Sequence, residues 1–326
     1  MWQKVKAVIR ENNSFLIASH VFPDGDAVAS QLALAQVLRK LGKKVLIVDE
    51  HPTPKIYHFL DPRGTIKMYS EKLRRRIEKC DAAFVLDVGS LERLGRVGAV
   101  IARTKMKAVC IDHHQTNTRF ANVNVVDRTS ASTGELIYSL AKSLRTPITP
   151  KLATIFFVAA ATDTGWFRFP NTSARTLCTA ASLVEKGARP DRIYRAVNET
   201  MEWPRLELMK LVLETLGREC GGRIVTLCIT EAMLRKSGAK HEDAEDFVDI
   251  PRVLQGVKLI ILFRETDQGI KVSLRSKDGP AVEQIARKHG GGGHAKAAGT
   301  IIKAPLSRVK KLILGDAKRL LERVEP

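Results

Sequence analysis

Short apolar runs alternate with helical patterns over residues 1–190 of the chain. Four runs rich in β-branched residues predict strands: SFLIASH, KKVLIVDE, AAFVLDVG and KAVCIDHH. Between the first two lies AVASQLALAQVLRKLG, whose apolar residues recur at helical spacing and whose last residue is Gly42. This alternation predicts an α/β domain in which helices cover both faces of a parallel sheet.

The pattern becomes helical and more polar after this domain, which predicts a helical connector over residues 191–217. Strand-like runs then return as RIVTLCIT, VKLIILFRE and GIKVSLRS, followed by a helix around AVEQIARKH. A last amphipathic helix is expected from Leu306 to Arg323. We therefore predict a second, smaller α/β domain with a mixed sheet over residues 218–326.

Polar residues follow three of the four predicted strands of the first domain at their C-terminal ends. Because ligands in open α/β sheets bind beyond the carboxyl ends of the strands, these residues are expected to become neighbours. In chain order they are His20, Asp24, Asp26, Asp87, Asp112, His113 and His114. Asp163 is added to them because it follows an apolar helical run, where its charge opposes the helix dipole.

Each of these segments has an ordinary structural explanation when it is taken alone. HVFPDGD is a turn signal, in which proline presets φ and glycine allows a positive φ. Asp87 is typical of a helix N-cap or a turn, and Asp163 of a helix C-terminus. Taken together, however, so many carboxylates would repel one another unless a cation lay between them.

Six of these residues offer four carboxylates and two imidazoles as metal ligands. They are His20, Asp24, Asp26, Asp87, His113 and Asp163. The set suffices for two divalent ions if one carboxylate bridges them. Two ions roughly 3.5–4 Å apart hold a phosphoryl group and lower the pKa of a shared water for in-line attack on phosphorus. Mixed nitrogen and oxygen ligands favour Mn²⁺, with Mg²⁺ or Co²⁺ as alternatives.

The net charge of the chain is strongly positive. There are 54 lysines and arginines against 35 aspartates and glutamates, a formal charge of +19. Such a charge attracts polyanions, so nucleic acid, nucleotides and anionic lipid are candidate partners. A solvated basic surface that serves solubility explains the same composition equally well.

Neither a membrane span nor an export signal is expected. The most apolar stretch, LATIFFVAAA, is well short of the roughly 20 residues of a spanning helix, and the N-terminus lacks the apolar region of a secretory signal. The cysteines are odd in number and widely spaced, which is typical of free thiols in a reducing cytoplasm. They are Cys80, Cys110, Cys178, Cys220 and Cys228.

The segment KHGGGGHAKAAG, residues 288–299, predicts a glycine-rich loop. Four consecutive glycines would leave backbone N–H groups open to an anion, while His294 and the basic residues before it add charge. Such a loop is also often a flexible connector, but the small residues throughout GGGHAKAAG argue against that explanation.

The motifs HVFPDGD, LDVGS, DHH and TDTG, in this order, resemble those of the DHH phosphoesterase superfamily. GGGGHAKAAG resembles the DHH-associated C-terminal domain of the same superfamily. Within it, the chain is most similar to the group of bifunctional nanoRNases and 3'-phosphoadenosine 5'-phosphate (pAp) phosphatases. The resemblance implies a DHH catalytic domain, an active site in the cleft between the two domains, and a homodimer.

The resemblance also implies a role for each matching residue. One metal ion would be held by His20, Asp24 and Asp87, and the second by Asp26, Asp87, His113 and Asp163. Asp112 would orient the histidines, and His114 would face the phosphate and assist the leaving oxygen, so that Asp87, Asp112 and His114 form the catalytic set. The implied substrate-binding residues are Arg275, Gly291, Gly292, Gly293 and His294, with Arg264 and Ser273 as further candidates.

The expected activity is hydrolysis of short single-stranded oligoribonucleotides to nucleoside 5'-monophosphates, together with removal of the 3'-phosphate of pAp. Hydrolysis of cyclic or linear dinucleotides and a RecJ-type exonuclease remain alternatives, whereas a family II pyrophosphatase should lack the glycine-rich histidine segment. A catalytically silent nucleic-acid-binding module is the alternative of another class, although silent relatives would be expected to lose metal ligands.

Overall fold

A computed structural model of the protein describes residues 1–244 and 246–323. The chain divides into two compact units, Met1–Thr200 and Met201–Pro326. Their boundary falls inside the segment for which the sequence predicts a helical connector, and one helix of that segment belongs to each unit.

The first unit is built on a six-stranded sheet in which all neighbouring strands are parallel. Its strands are β1 (Ser14–Ala18), β2 (Lys44–Asp49), β3 (Ile66–Met68), β4 (Ala82–Leu86), β5 (Lys107–Asp112) and β6 (Val123–Val126). The spatial order is β3-β2-β1-β4-β5-β6. The predicted α/β fold with a parallel sheet is therefore confirmed.

The helices of this unit are α1 (Gln3–Glu11), α2 (Gly25–Lys40), α3 (Glu71–Ile77), α4 (Arg96–Arg103), α5 (Thr133–Ser143), α6 (Pro150–Asp163), α7 (Ala174–Glu185) and α8 (Pro190–Asn198). Short 3₁₀ turns span Lys55–Tyr57 and Leu91–Leu94.

Both faces of the central strands are buried. On β1, Phe15 and Ile17 join the core with α2, α5 and α6, whereas Leu16 and Ala18 join the core with α4. Because successive side chains of a strand point to opposite faces, a continuous apolar run is needed to fill both cores. This explains why the strands are uniformly apolar, as sequence analysis found.

The second unit contains a mixed six-stranded sheet in the order β11-β12-β10-β9-β8-β7. Its strands are β7 (Gly217–Glu219), β8 (Ile224–Ile229), β9 (Leu259–Thr266), β10 (Gly269–Ser276), β11 (Gly292–His294) and β12 (Ala297–Ile302). Its helices are α9 (Trp203–Leu213), α10 (Glu231–Ser237), α11 (Glu283–Lys288) and α12 (Leu306–Glu322), with 3₁₀ turns at Cys220–Gly222, His241–Ala244 and Phe247–Val253. Only the β8–β9 pair is parallel among the paired strands described.

The glycine-rich segment is a hairpin and not the predicted loop. Gly292–His294 forms the edge strand β11, which pairs antiparallel with β12. Glycine has a weak β preference, so the sequence favoured a loop. The pairing with β12 supplies the hydrogen bonds that override this preference.

Within the residues that the structure describes, no helix is both long and apolar enough to cross a membrane.

Candidate active site

The acidic cluster lies where the strand order of the first sheet reverses. His20 follows β1, and Asp87 follows β4, its neighbour on the other side of the reversal. In open α/β sheets this switch point is the crevice in which ligands bind, because the loops after the two strands diverge there.

Asp87 is the centre of the cluster. Its carboxylate oxygens lie 3.7 Å from His20 Nε2 and 3.5 Å from His113 Nε2. Asp87 has a φ of 56°, in the left-handed region that a non-glycine residue seldom adopts. A strained backbone at a buried carboxylate is characteristic of a functional position.

The remaining predicted ligands surround Asp87 on two sides. Asp24 Oδ2 lies 3.9 Å from His20 Nε2, and Asp163 Oδ2 lies 3.4 Å from His113 Nε2. Donor atoms within 4.8 Å of one another form one group of His20, Asp24 and Asp87 and another of Asp26, His113 and Asp163. The structure thus brings all six predicted metal ligands together.

The turn before α2 differs from the expected one. Gly25 is the first residue of α2 and does not use a positive φ; Phe22 does, with a φ of 55°. Glycine is needed at this position because α6 passes close to it: a Cβ on residue 25 would lie 2.6 Å from Thr162 Oγ1. Asp24 caps α2 by accepting a hydrogen bond from Ala27 N at 3.1 Å.

Asp26 is buried and held by the N-terminus of α5. Its carboxylate accepts hydrogen bonds from Thr133 N at 2.6 Å and from Gly134 N at 2.9 Å. The exposed N–H groups at a helix N-terminus favour an anion, so α5 fixes the orientation of this carboxylate. Ser30 Oγ adds a third hydrogen bond, at 3.1 Å.

Several groups of the cluster have raised pKa values and therefore keep their protons to a higher pH than usual. Burial opposes a charged imidazole, but Asp87 and its neighbouring carboxylates raise the pKa of His20 to about 9 and that of His113 to about 10. Burial, followed by the charge of Asp87, raises the pKa of Asp163 to about 6 and that of Asp26 well above its usual range. Divalent ions would replace these protons.

The donor set fits divalent metal ions. Imidazole nitrogens suit transition ions and carboxylate oxygens suit Mg²⁺ and Mn²⁺, and both kinds of donor converge here. In two of the histidines a backbone carbonyl contacts Nδ1, which leaves Nε2 facing the carboxylates. His20 Nδ1 lies 2.8 Å from Val21 O, and His113 Nδ1 lies 3.3 Å from Ser130 O. Such contacts set the ring orientation of metal-bound histidines.

Asp112 orients His114 rather than both histidines of its motif. Asp112 Oδ1 lies 2.7 Å from His114 Nδ1, while His113 contacts the Ser130 carbonyl. The difference arises because adjacent side chains at a strand end point in different directions. The hydrogen bond to Asp112 raises the pKa of His114. His114 Nδ1 also lies 3.7 Å from Asp87 Oδ1.

Three of the predicted substrate-binding residues share one face of the C-terminal sheet. Ser273 and Arg275 are two positions apart on β10, so their side chains lie on the same face. Lys271 of β10 lies on that face too, and its partner on β9 is Arg264. The opposite face, with Val272 and Leu274, packs into the core with α11 and α12. Arg264 is buried and donates to His241 O at 2.8 Å, whereas Arg275 lies 3.4 Å from Asp249 Oδ1.

The glycines of the hairpin have separate roles. Gly292 and His294 are on the same face as Ser273 and Arg275, because β11, β12 and β10 pair in register. Gly293 faces the other way, and a Cβ there would lie 2.5 Å from Ala297 O. A Cβ at Gly291 would collide with Gly299 O, whereas one at Gly292 would meet nothing within 4 Å.

Sequence analysis missed two residues that contact the predicted catalytic set. Thr133 Oγ1 donates to Asp87 Oδ1 at 3.0 Å, and Asn117 Nδ2 donates to Asp112 Oδ2 at 2.6 Å. Ser132 caps α5, and serine is typical of helix N-caps, so the sequence could have indicated that Thr133 begins a helix. Asn117 stands within the motif DHHQTN, yet its contact depends on a loop that the sequence pattern does not describe.

The parallel sheet and the cluster at its switch point define an α/β protein with a candidate metal-binding site. Two family models match the chain: the N-terminal domain of the DHH family over residues 14–160, and the DHHA1 domain over residues 221–323. The chain therefore belongs to the DHH family, and it is a metal-dependent phosphoesterase.

Similar proteins support the same assignment. The bifunctional oligoribonuclease and PAP phosphatase NrnA of Thermus thermophilus is 33% identical over 93% of this chain and 89% of its own. The Bacillus subtilis protein of that name is 27% identical over 89% of this chain and 90% of its own. The crystal structure of an exopolyphosphatase-related protein from Bacteroides fragilis superposes with a TM-score of 0.87, at 27% identity, covering 98% of this chain and 96% of that one.

Proposed function

We propose that the protein degrades short oligoribonucleotides to nucleoside 5'-monophosphates and removes the 3'-phosphate from pAp. The observation that carries this proposal is the convergence of two ligand groups on Asp87 at the switch point. The similarity to NrnA over nearly the whole chain supports the choice of substrates.

The metal centre would comprise two divalent ions, with Mn²⁺ as the best fit to the donors. His20, Asp24 and Asp87 would hold one ion, and Asp26, Asp87, His113 and Asp163 the other. When bound, such a pair withdraws charge from the phosphoryl group and supplies a nucleophile at neutral pH. The mixed imidazole and carboxylate donors favour Mn²⁺ over Mg²⁺, which prefers oxygen and retains its waters.

His114 would hold the proton that the leaving oxygen needs. Its Nδ1 is engaged by Asp112, which leaves Nε2 as the nitrogen that can donate. This hydrogen bond raises the pKa of His114. The imidazole therefore keeps its proton to a higher pH than a free histidine does. Asn117 in turn fixes Asp112, so the three side chains form a chain of hydrogen bonds.

The C-terminal sheet would recognise the nucleotide. Arg275 offers a planar guanidinium that can bond a phosphate in a bidentate manner, and Ser273 offers a hydroxyl on the same face. Gly292 has no neighbour where its side chain would be, which leaves room for a phosphate to approach the backbone. Lys271 adds charge to this face.

A cytoplasmic location is part of the proposal, and the free thiols support it. All five cysteines are unpaired, as expected of a protein in a reducing cytoplasm, and two of them are buried.

The proposal is tested with a substrate panel. Purified protein and Mn²⁺ are incubated with labelled di- to pentaribonucleotides, pAp, a cyclic dinucleotide, short single-stranded DNA and pyrophosphate. We expect fast release of monophosphates from the ribonucleotides and of phosphate from pAp. Preferred turnover of pyrophosphate or of the cyclic dinucleotide would overturn the proposal.

Two variants control the panel. Asp87→Ala should be inactive on every substrate, because it removes the carboxylate that both proposed metal sites would share. Asp191→Asn changes an exposed carboxylate at the start of α8 and should behave as wild type. Activity that survives Asp87→Ala would contradict the proposed centre.

A further inference from the structure

Phe22 is an exposed aromatic residue inside the metal-binding segment. It stands two residues after His20 and two before Asp24, so its Cα lies within about 8 Å of theirs. The residue is nevertheless 73% exposed, the largest exposed fraction of any phenylalanine described. Nothing in the proposed chemistry at Asp87 uses it.

The backbone of Phe22 is strained without any gain from burial. Its φ of 55° lies in the left-handed region, which is unfavourable for a bulky side chain. Such conformations persist only where the surrounding structure enforces them, and they are concentrated at functional sites. Core packing does not enforce this one, because Phe22 is mostly exposed.

His51 holds the ring in place from one side. The two rings are stacked, with centroids 3.9 Å apart and planes 16° apart. Phe22 N also approaches His51 Nδ1, at 3.4 Å. Phe22 follows β1 and His51 follows the neighbouring β2, so the pair stands at the carboxyl edge of the sheet, as the metal ligands do.

We propose that the Phe22–His51 pair is a stacking platform for a nucleobase of the substrate. A flat aromatic ring with one face supported and the other open binds any base, because every base has a π-face. The platform would place a base beside the metal centre without reading its identity. This inference rests on the proposed function, since it assumes a nucleotide substrate.

Variants of Phe22 test the platform through substrate affinity. Phe22→Ala is expected to raise KM for a diribonucleotide roughly 5- to 140-fold, which is the loss of one base-stacking contact. Phe22→Trp should keep KM near the wild-type value, and Phe22→Leu should behave like Phe22→Ala. Leu177→Ala removes another exposed apolar side chain of the same unit, in α7, and should change nothing.

Abasic substrates separate stacking from general damage. Two diribonucleotide analogues are compared, one lacking the 5' base and one lacking the 3' base. If the platform binds a base, Phe22→Ala loses its effect on one of the two analogues. An equal effect on all substrates, or no effect on any, would overturn the inference.

Direct binding keeps this test independent of turnover. The Kd of a hydrolysis-resistant, phosphonate-bridged diribonucleotide is measured by fluorescence anisotropy for wild type, Phe22→Ala and Phe22→Trp. If wild-type protein binds this probe but cleaves no diribonucleotide, the proposed function is overturned, while the platform is still tested by the Kd values. Equal Kd values for all three proteins, or no binding by any, would reject the platform alone.

Discussion

At the scale of single residues, Asp87 explains why an acidic cluster can be buried in this protein. The carboxylate contacts His20, His113 and the hydroxyl of Thr133. The sequence predicted that Asp87 would meet the histidines, because the ends of neighbouring parallel strands converge. It could not predict Thr133 or Asn117, whose contacts depend on the path of the loops.

The protonation of the metal-free site leads to a prediction about pH. The pKa values of His20 and His113 are raised to about 9 and about 10 from 6.5. Their stabilising charge is complete below pH 6.5 and is lost as the pH rises through these values. In EDTA the Tm should therefore fall between pH 6.5 and 9.5.

Bound metal should counteract the fall in Tm with rising pH, because the ligands must lose their protons to bind the metal. The rise in Tm on adding Mn²⁺ should accordingly be larger at pH 8.5 than at pH 6.5. Differential scanning fluorimetry provides the measurement. His20→Gln should weaken the dependence in EDTA, whereas His58→Gln, at an exposed histidine, should not. A Tm in EDTA that rises across this range would refute the explanation.

Gly134 provides a prediction about the anchoring of Asp26. A Cβ at this position would collide with Ala159 on α6 and lie 3.2 Å from Asp26 Oδ1. Overpacking of this kind typically costs about 1–3 kcal/mol. Gly134→Ala should therefore lower the free energy of unfolding by that amount and reduce Mn²⁺ affinity, as measured by urea denaturation and metal titration. Unchanged metal affinity would mean that α5 does not position Asp26.

At the scale of elements, long periodic segments were predictable and short ones were not. The helix predicted between the first two strands is α2, and the four predicted strands of the first unit are β1, β2, β4 and β5. Short strands such as β3 and β7 contain three residues each, too few for a periodic pattern. The glycine-rich hairpin was missed because its strand depends on pairing with β12 and not on local preference.

The hairpin glycines give a pair of contrasting predictions. Gly293→Ala should lower the Tm, because φ there is 141° and the new Cβ would lie 2.5 Å from Ala297 O. Gly292→Ala should leave the Tm unchanged, since nothing lies within 4 Å, but should raise KM if phosphate approaches the backbone there. Thermal unfolding and steady-state kinetics distinguish the two effects. A KM for Gly292→Ala equal to that of wild type would argue against this binding face.

At the scale of the whole molecule, the net charge and the sheet architecture have different roles in the enzyme. The parallel sheet supplies the carboxylates, while the formal charge of +19 offers attraction to polyphosphates. Composition alone could not distinguish substrate attraction from a merely soluble basic surface. The family assignment favours the first, since a phosphoesterase acts on anions.

Salt dependence tests whether this charge serves substrate binding. Each phosphate neutralised by a lysine or arginine releases counterions, so binding weakens as salt rises. The slope of log KM against log[KCl] should be steeper for a pentaribonucleotide than for a diribonucleotide, because more phosphates are contacted. Kinetics between 50 and 300 mM KCl provide the slopes. Equal slopes for the two lengths would mean that the basic surface beyond the active site plays no part.

The most direct test of the metal centre is a Mn²⁺ titration of wild type, Asp87→Asn and Asp191→Asn followed by electron paramagnetic resonance. Free Mn²⁺ gives the stoichiometry, and exchange coupling reports two ions that share a ligand. We predict about two coupled ions per chain for wild type and Asp191→Asn, and at most one, without coupling, for Asp87→Asn. A coupled pair that persists in Asp87→Asn would contradict the account.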